Sequence, residues 1–151
     1  MSTADEGIRD SLNIAQFRGM AFEFIIADDP RLHPNTMKIE AHGLERQATI
    51  MGQSVGGGAI LITQINGNSI FARCELDTLA VFSLDIPGVL ASLTRVLSDA
   101  GYNISNLRLN RTRRAGDVVS VVETDMPIDA QTVEALYKID TVSTIIQIPK
   151  L

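Results

Sequence analysis

The sequence predicts an α+β fold: a small mixed α/β region rich in strands, then a second region of βαββαβ order. Three observations predict it. Short β-type runs punctuated by glycine fill residues 36–75. From residue 77 onward, strand-type and helix-type periods alternate cleanly. An apolar content of 45% over 151 residues supplies buried cores. No apolar run approaches the ~20 residues of a membrane span. Two small domains are expected, 1–76 and 77–151.

Residues 3–18 read as a helix. Thr3 and Glu6 form a capping-box pattern, Ile8, Leu12 and Ala15 repeat at helical spacing, and Gly19 can end it. Ala21–Ile26 looks like a strand, and Asp28-Asp29-Pro30 opens a polar loop running to His33-Pro34-Asn35. Met37, Ile39 and Ala41 alternate with polar residues, and Ala48–Met51 is another short run. Ala59–Ile65 and Ser69–Arg73 flank Asn66-Gly67, a dipeptide that favours a tight hairpin because both residues tolerate positive φ.

In the second region Thr78–Leu84 is a strand and Asp85-Ile86-Pro87-Gly88 a turn. Val89–Ala100 is an amphipathic helix with Leu90, Leu93, Val96 and Leu97 on one face, stopped by Gly101. Tyr102–Leu109 and Val118–Thr124 are strands joined by a polar loop. Ala130–Lys138 is a helix with Val133, Leu136 and Tyr137 inward, and Val142–Ile148 is the last strand. This order is the split-βαβ arrangement, an antiparallel sheet covered by two helices.

The net charge of −5 is shared between the halves, and neither has the basic excess that nucleic-acid binding requires. The single cysteine, Cys74, excludes an internal disulfide, a cysteine-rich zinc site and a cluster held by several thiolates of this chain. It is expected as a small, half-buried, unreactive strand residue. The stretch Met1–Glu6 has neither the basic flank nor the apolar core of a secretory signal, so a cytoplasmic location is expected.

Four constellations bear on chemistry. Gly52-Gln53-Ser54-Val55-Gly56 matches the nucleophile-elbow pattern, but no helix follows, which argues against a hydrolase. Ser54, Gly56, Gly57 and Gly58 read either as a loop whose open amides approach a ligand or as a bulge or hairpin turn. His33, Asn35 and Thr36 group an imidazole, an amide and a hydroxyl suited to a small polar ligand; a plain loop is the other reading. His42, alone in a strand, reads as structural. In the Asp85–Leu90 turn, Gly88, Val89 and Leu90 begin a helix whose free amides favour a carboxylate. Asp85 and Asn103 there could pair with an amino acid, and a simple capped turn is the alternative. Arg108, Arg111, Arg113 and Arg114 read as a solvated hairpin rather than an anion site.

With these residues in place, 77–151 resembles a ferredoxin-like ACT domain, the regulatory module that commonly binds amino acids. The resemblance rests on the βαββαβ order, Asp85-Ile86-Pro87-Gly88-Val89-Leu90 and Gly101-Tyr102-Asn103-Ile104. Upstream, Phe22-Glu23-Phe24, His33-Pro34-Asn35-Thr36 and Ser54-Val55-Gly56-Gly57-Gly58 resemble the β subunit of iron–sulfur-dependent L-serine dehydratase. That family converts L-serine to pyruvate and ammonia with a [4Fe-4S] cluster on the α subunit, which polarises the substrate hydroxyl.

The resemblance implies that the cluster sits on a partner and none is held by this chain alone. It implies that His33, Asn35, Thr36, Ser54, Gly56, Gly57 and Gly58 border the substrate cleft. It further implies that Ser83, Asp85, Gly88, Val89, Leu90, Asn103 and Ile104 bind an effector, L-serine or another small amino acid. Serine-binding ACT modules often carry histidine and asparagine where Ser83 and Asp85 stand. Family β subunits also have a Gly-His-Gly-Thr segment upstream of where this sequence begins. A homodimer through the ACT region is expected, since an isolated split-βαβ sheet has open edges. The alternative is a free-standing ACT sensor or the regulatory tail of a phosphoglycerate dehydrogenase.

Overall fold

The computed structural model describes residues 5–44, 47–111 and 116–151. The chain forms two compact units, Met1–Arg31 and Leu32–Leu151.

In the first unit a 3₁₀ turn, Glu6–Asp10, leads into helix α1, Ser11–Phe17. The 3₁₀ turn is capped by Asp5, whose carboxylate accepts from the Gly7 amide at 2.8 Å. Thr3, the expected cap, lies outside the described residues. Gly19, with φ of +79°, ends the helix: its amide donates to Gln16 O and that of Met20 to Ala15 O, both at 2.9 Å. The strand expected at Ala21–Ile26 does not form. The segment has the side chains of a strand, but no ladder partner is present among the described residues to take its backbone groups. Phe22 and Phe24 pack edge to face at 5.8 Å, while Ile26 is 99% exposed. Nearby, Arg31 grips Asp29 through two hydrogen bonds and holds its carboxyl down at about 2.

The second unit contains two four-stranded sheets. The first is an antiparallel meander of β1 (Thr36–His42), β2 (Gln47–Gly56), β3 (Ala59–Ile65) and β4 (Asn68–Ala72). Gly57-Gly58 turns β2 into β3, and Asn66-Gly67 turns β3 into β4, each with two positive φ angles as a tight hairpin requires. The Gly52–Gly56 segment thus runs along a strand into a hairpin, without the helix an elbow needs. Gly52 sits at a register shift, where a Cβ would lie 3.2 Å from the Leu61 carbonyl oxygen.

The second sheet follows as β5 (Asp77–Leu84), α2 (Val89–Asp99), β6 (Ile104–Arg111), β7 (Asp117–Thr124), α3 (Ala130–Tyr137) and β8 (Val142–Ile148). Its strand order is β6-β7-β5-β8, all antiparallel. The period-two alternation of β5 and β7 is apolar on both faces, so the sheet is buried twice. Leu79, Val81 and Val122 meet Leu93 and Leu97 of α2 and Leu136 of α3. Ala80, Val119 and Val121 point the other way and meet Ile65, Ile70 and Ala72 of the first sheet, with Phe82 and Ile146 alongside. Layering is therefore helices, sheet, sheet.

Two inward assignments change. Leu90 is partly exposed and Val89 takes the buried position on α2, because the helix begins right after Gly88. Tyr137 is exposed, its hydroxyl accepting from the Ile145 amide at 3.0 Å. Cys74 is not a half-buried strand residue: it lies beyond β4 with φ of +57° and is only 3% exposed. Burial, then the nearby Glu123 carboxylate, pushes its thiol pKa up, as befits an unreactive thiol.

Candidate functional site

The first constellation assembles at one end of the meander. Pro34 and Asn35 turn the chain into β1, and the Thr36 amide donates to the His33 carbonyl at 2.9 Å. The Asn35 amide donates to His33 Nδ1 at 3.2 Å. Nδ1 is therefore the acceptor, in an imidazole that is exposed. The Ser54 amide donates to the Asn35 carbonyl at 3.1 Å, and Thr36 pairs with Gln53. The two segments, far apart in sequence, are thus held side by side by backbone bonds.

His33, Asn35, Ser54 and the glycines are all exposed, and Thr36 is half-buried. Gly56, Gly57 and Gly58 have φ of +91°, +62° and +79°, with open space where each Cβ would stand. Glycine is needed here for the hairpin's backbone, not to admit a tightly packed group. His42 stands exposed at the end of β1.

The second constellation surrounds the β5–α2 turn. Gly88, at φ of +92°, caps α2 with no side-chain partner for the first amides. The Asp85 carboxylate accepts from Arg111 Nε at 2.7 Å, and the Asp85 amide donates to the Gly116 carbonyl at 2.7 Å. Ser83 is 3% exposed, and its hydroxyl has no hydrogen-bond partner among the described residues. Arg111 was legible as part of a basic loop, but its pairing with the Asp85 carboxylate in the turn after β5 was not. Arg108 also departs from a merely solvated role, stacking over the Phe71 ring at 4.3 Å. Arg113 and Arg114 lie outside the described residues.

Asn103 and Ile104 are not beside that turn. Ile104 pairs with Thr124, which pairs with Asp77 at the start of β5, whereas Asp85 follows its end. The length of β5 sets them apart by roughly 20 Å. Asn103 Nδ2 instead donates to Asp125 Oδ2 at 2.7 Å. The same end holds a cavity of about 280 Å³ walled by Leu79, Ile128 and Ile148. Its polar members are engaged internally, Gln147 with the Ile128 carbonyl at 2.8 Å and Thr124 with that of Met126 at 2.9 Å.

Residues 78–141 match the ACT domain family, and the second sheet with its helices is that βαββαβ domain. The chain carries an ACT domain. Over 149 residues, 99% of its length, it is 30% identical to the probable L-serine dehydratase beta chain of Bacillus subtilis (strain 168), covering 66% of that protein. It is 28% identical over 142 residues to the L-serine dehydratase beta chain of Peptoniphilus asaccharolyticus, covering 93% of this chain and 64% of that one. Its homologues over most of its length are thus L-serine dehydratase beta chains, and it spans a little under two thirds of theirs. A more distant likeness, 25% over 137 residues, joins it to the D-3-phosphoglycerate dehydrogenase of Mycobacterium tuberculosis (strain ATCC 25618 / H37Rv), covering 26% of that enzyme.

Proposed function

We propose that the chain is the non-cluster β component of an L-serine dehydratase, completing the substrate cleft of a cluster-bearing α subunit in the cytoplasm. We divide the labour at residues 76/77. The preceding region faces the cleft, and the ACT domain senses an amino acid. The observation that carries this reading is the backbone junction of His33–Thr36 with Ser54, which gathers exposed polar groups on one edge. Such groups bind and orient a small amino acid once a partner covers them and excludes water.

The single, buried Cys74 does not fit a cluster, and no group of three or more potential ligands occurs among the described residues. In this reading a [4Fe-4S] group would be held by the partner, where it would supply Lewis acidity toward the substrate hydroxyl. In this reading His33 Nε2 and the Thr36 hydroxyl hold the substrate's polar groups.

For the effector, the buried Ser83 hydroxyl and the uncapped start of α2 offer donors to a carboxylate, and Asp85 offers an acceptor to an ammonium group. Asn103 and Ile104 lie too far away to close the same pocket within one chain. A homodimer through the ACT region would bring Asn103 of one copy to the Asp85 turn of the other.

Anaerobic co-expression with a cluster-bearing α subunit, followed by a pyruvate assay, tests the proposal. The complex is expected to be active and the isolated chain to have neither iron nor activity. Stoichiometric iron and sulfide on the isolated chain, or a complex that never forms, would defeat it. The likeness to D-3-phosphoglycerate dehydrogenase favours a second reading, an amino-acid sensor without a catalytic role. Under that reading His33→Ala is silent and Asn103→Ala abolishes amino-acid binding measured by calorimetry.

A further inference from the structure

Strand β1 is an open edge: among the described residues it pairs with β2 alone. Its register shows which backbone groups are free. The bond from the Ser54 amide to the Asn35 carbonyl marks that pair as hydrogen-bonded. The unbroken register from Thr36↔Gln53 to His42↔Gln47 carries the alternation along the strand. Residues 37, 39 and 41 therefore turn their amides and carbonyls toward β2. Lys38, Glu40 and His42 turn theirs outward, toward no strand among the described residues.

The side chains divide by face. Ile39 stands opposite Ile50, on the face that packs against the ACT sheet, with Met37 and Ala41 beside it. That face overhangs its neighbour, leaving Met37 61% and Ile39 52% exposed. Lys38 and Glu40 share the opposite face and pair with each other along the strand. A free edge with an apolar face is what proteins ordinarily cover.

We propose that β1 pairs antiparallel with β1 of a second copy, about a two-fold axis at Ile39. The sequence of the strand is self-complementary in this register. Lys38 stands opposite Glu40 of the other copy and Glu40 opposite its Lys38, so both charge pairs are attractive. Met37 meets Ala41, large against small, and Ile39 meets itself. The outward groups of Lys38 and Glu40 form a hydrogen-bonded pair, which puts Ile39 in the closer, non-hydrogen-bonded position.

The neighbouring registers fail. A slip of two residues either way sets Lys38 against Lys38 or Glu40 against Glu40. A slip of one sets an outward-facing residue against one whose backbone groups are already bonded to β2. The contact does not use the ACT edges, and its test, by sedimentation and cross-linking of this chain alone, is separate from the pyruvate assay of the serine-dehydratase reading.

Charge exchange in the full chain tests it, with sedimentation as the readout. Lys38→Glu and Glu40→Lys should each weaken one association step by about tenfold or more, since both symmetric pairs become repulsive. The double variant K38E/E40K should restore wild-type association. Ile39→Cys should form a disulfide-linked dimer on mild oxidation, whereas the wild-type chain, with Cys74 buried, and Thr36→Cys should not. If the ACT edge also assembles, the wild type is a tetramer or larger and the single variants stop at dimers; otherwise the wild type is a dimer and they stop at monomers. A monomeric wild type, single variants that associate normally, a double variant as weak as the singles, or an Ile39→Cys chain that does not cross-link overturns the proposal.

Discussion

His33 lends its Nδ1 to the Asn35 amide and keeps Nε2 for whatever covers the edge of the meander. In a reconstituted complex His33→Ala is expected to lower turnover by about tenfold or more without loss of assembly. Turnover assays beside gel filtration separate the two effects. Asp129 shows a different use of a single group. Its carboxylate caps α3, accepting from the Thr132 amide at 2.7 Å, and that backbone bond above all holds its pKa below 3.8. A depressed carboxyl stabilises the fold above its unfolded value and ceases to do so as pH falls through the lower folded value. Thermal melts from neutral to strongly acidic pH should show this loss. Asp129→Asn keeps a good cap at every pH and should remove that part of the dependence.

At the scale of elements, α2 and the Gly57-Gly58 hairpin rest on opposite kinds of constraint. The helix is held by what it touches: Leu93 and Leu97 are fully buried against β5, β7 and α3. Leu97→Ala should cost about 2–5 kcal/mol in urea unfolding, with the slope unchanged. The hairpin is held by its backbone, since nothing lies within 4 Å of a Cβ at Gly57. At φ of +62° asparagine is at home and a β-branched residue is not. Gly57→Asn is expected to be near neutral, and Gly57→Val to cost roughly 1–3 kcal/mol. Equal losses from both would mean that something else packs on the turn.

For the whole molecule, the shared core between the sheets matters most. Val119 and Val121 of the ACT sheet are buried by Ile65, Ile70 and Ala72 of the meander. Residues 77–151 expressed alone should therefore expose an apolar sheet face, bind a hydrophobic dye and self-associate beyond the full chain. A monodisperse, dye-free fragment would show that the ACT domain does not depend on that cover. A change of pattern near residues 75–78 was readable in the sequence. That the two sides share a core was not, because apolar residues on both faces of β5 name no partner.

Local chemistry determined what could be read along the chain. Alternation set the strands of the second region, Gly88 and Gly101 bounded α2, and Asn66-Gly67 forced its hairpin, all through preferences acting within a few residues. The His33–Thr36 and Ser54–Gly58 segments stood out for the same reason, by their residue types alone. Tertiary structure alone decided which groups meet. It joined Asn35 to Ser54 and Asp85 to Arg111. It carried Asn103 to the far end of β5 and buried Cys74 in a left-handed bend. Among the described residues it also left Ala21–Ile26 without a ladder, where β-type side chains had promised one. A strand exists only when another backbone answers its amides and carbonyls, and a pairing across 20 or 70 residues is settled by the packing of the whole chain, not by either segment.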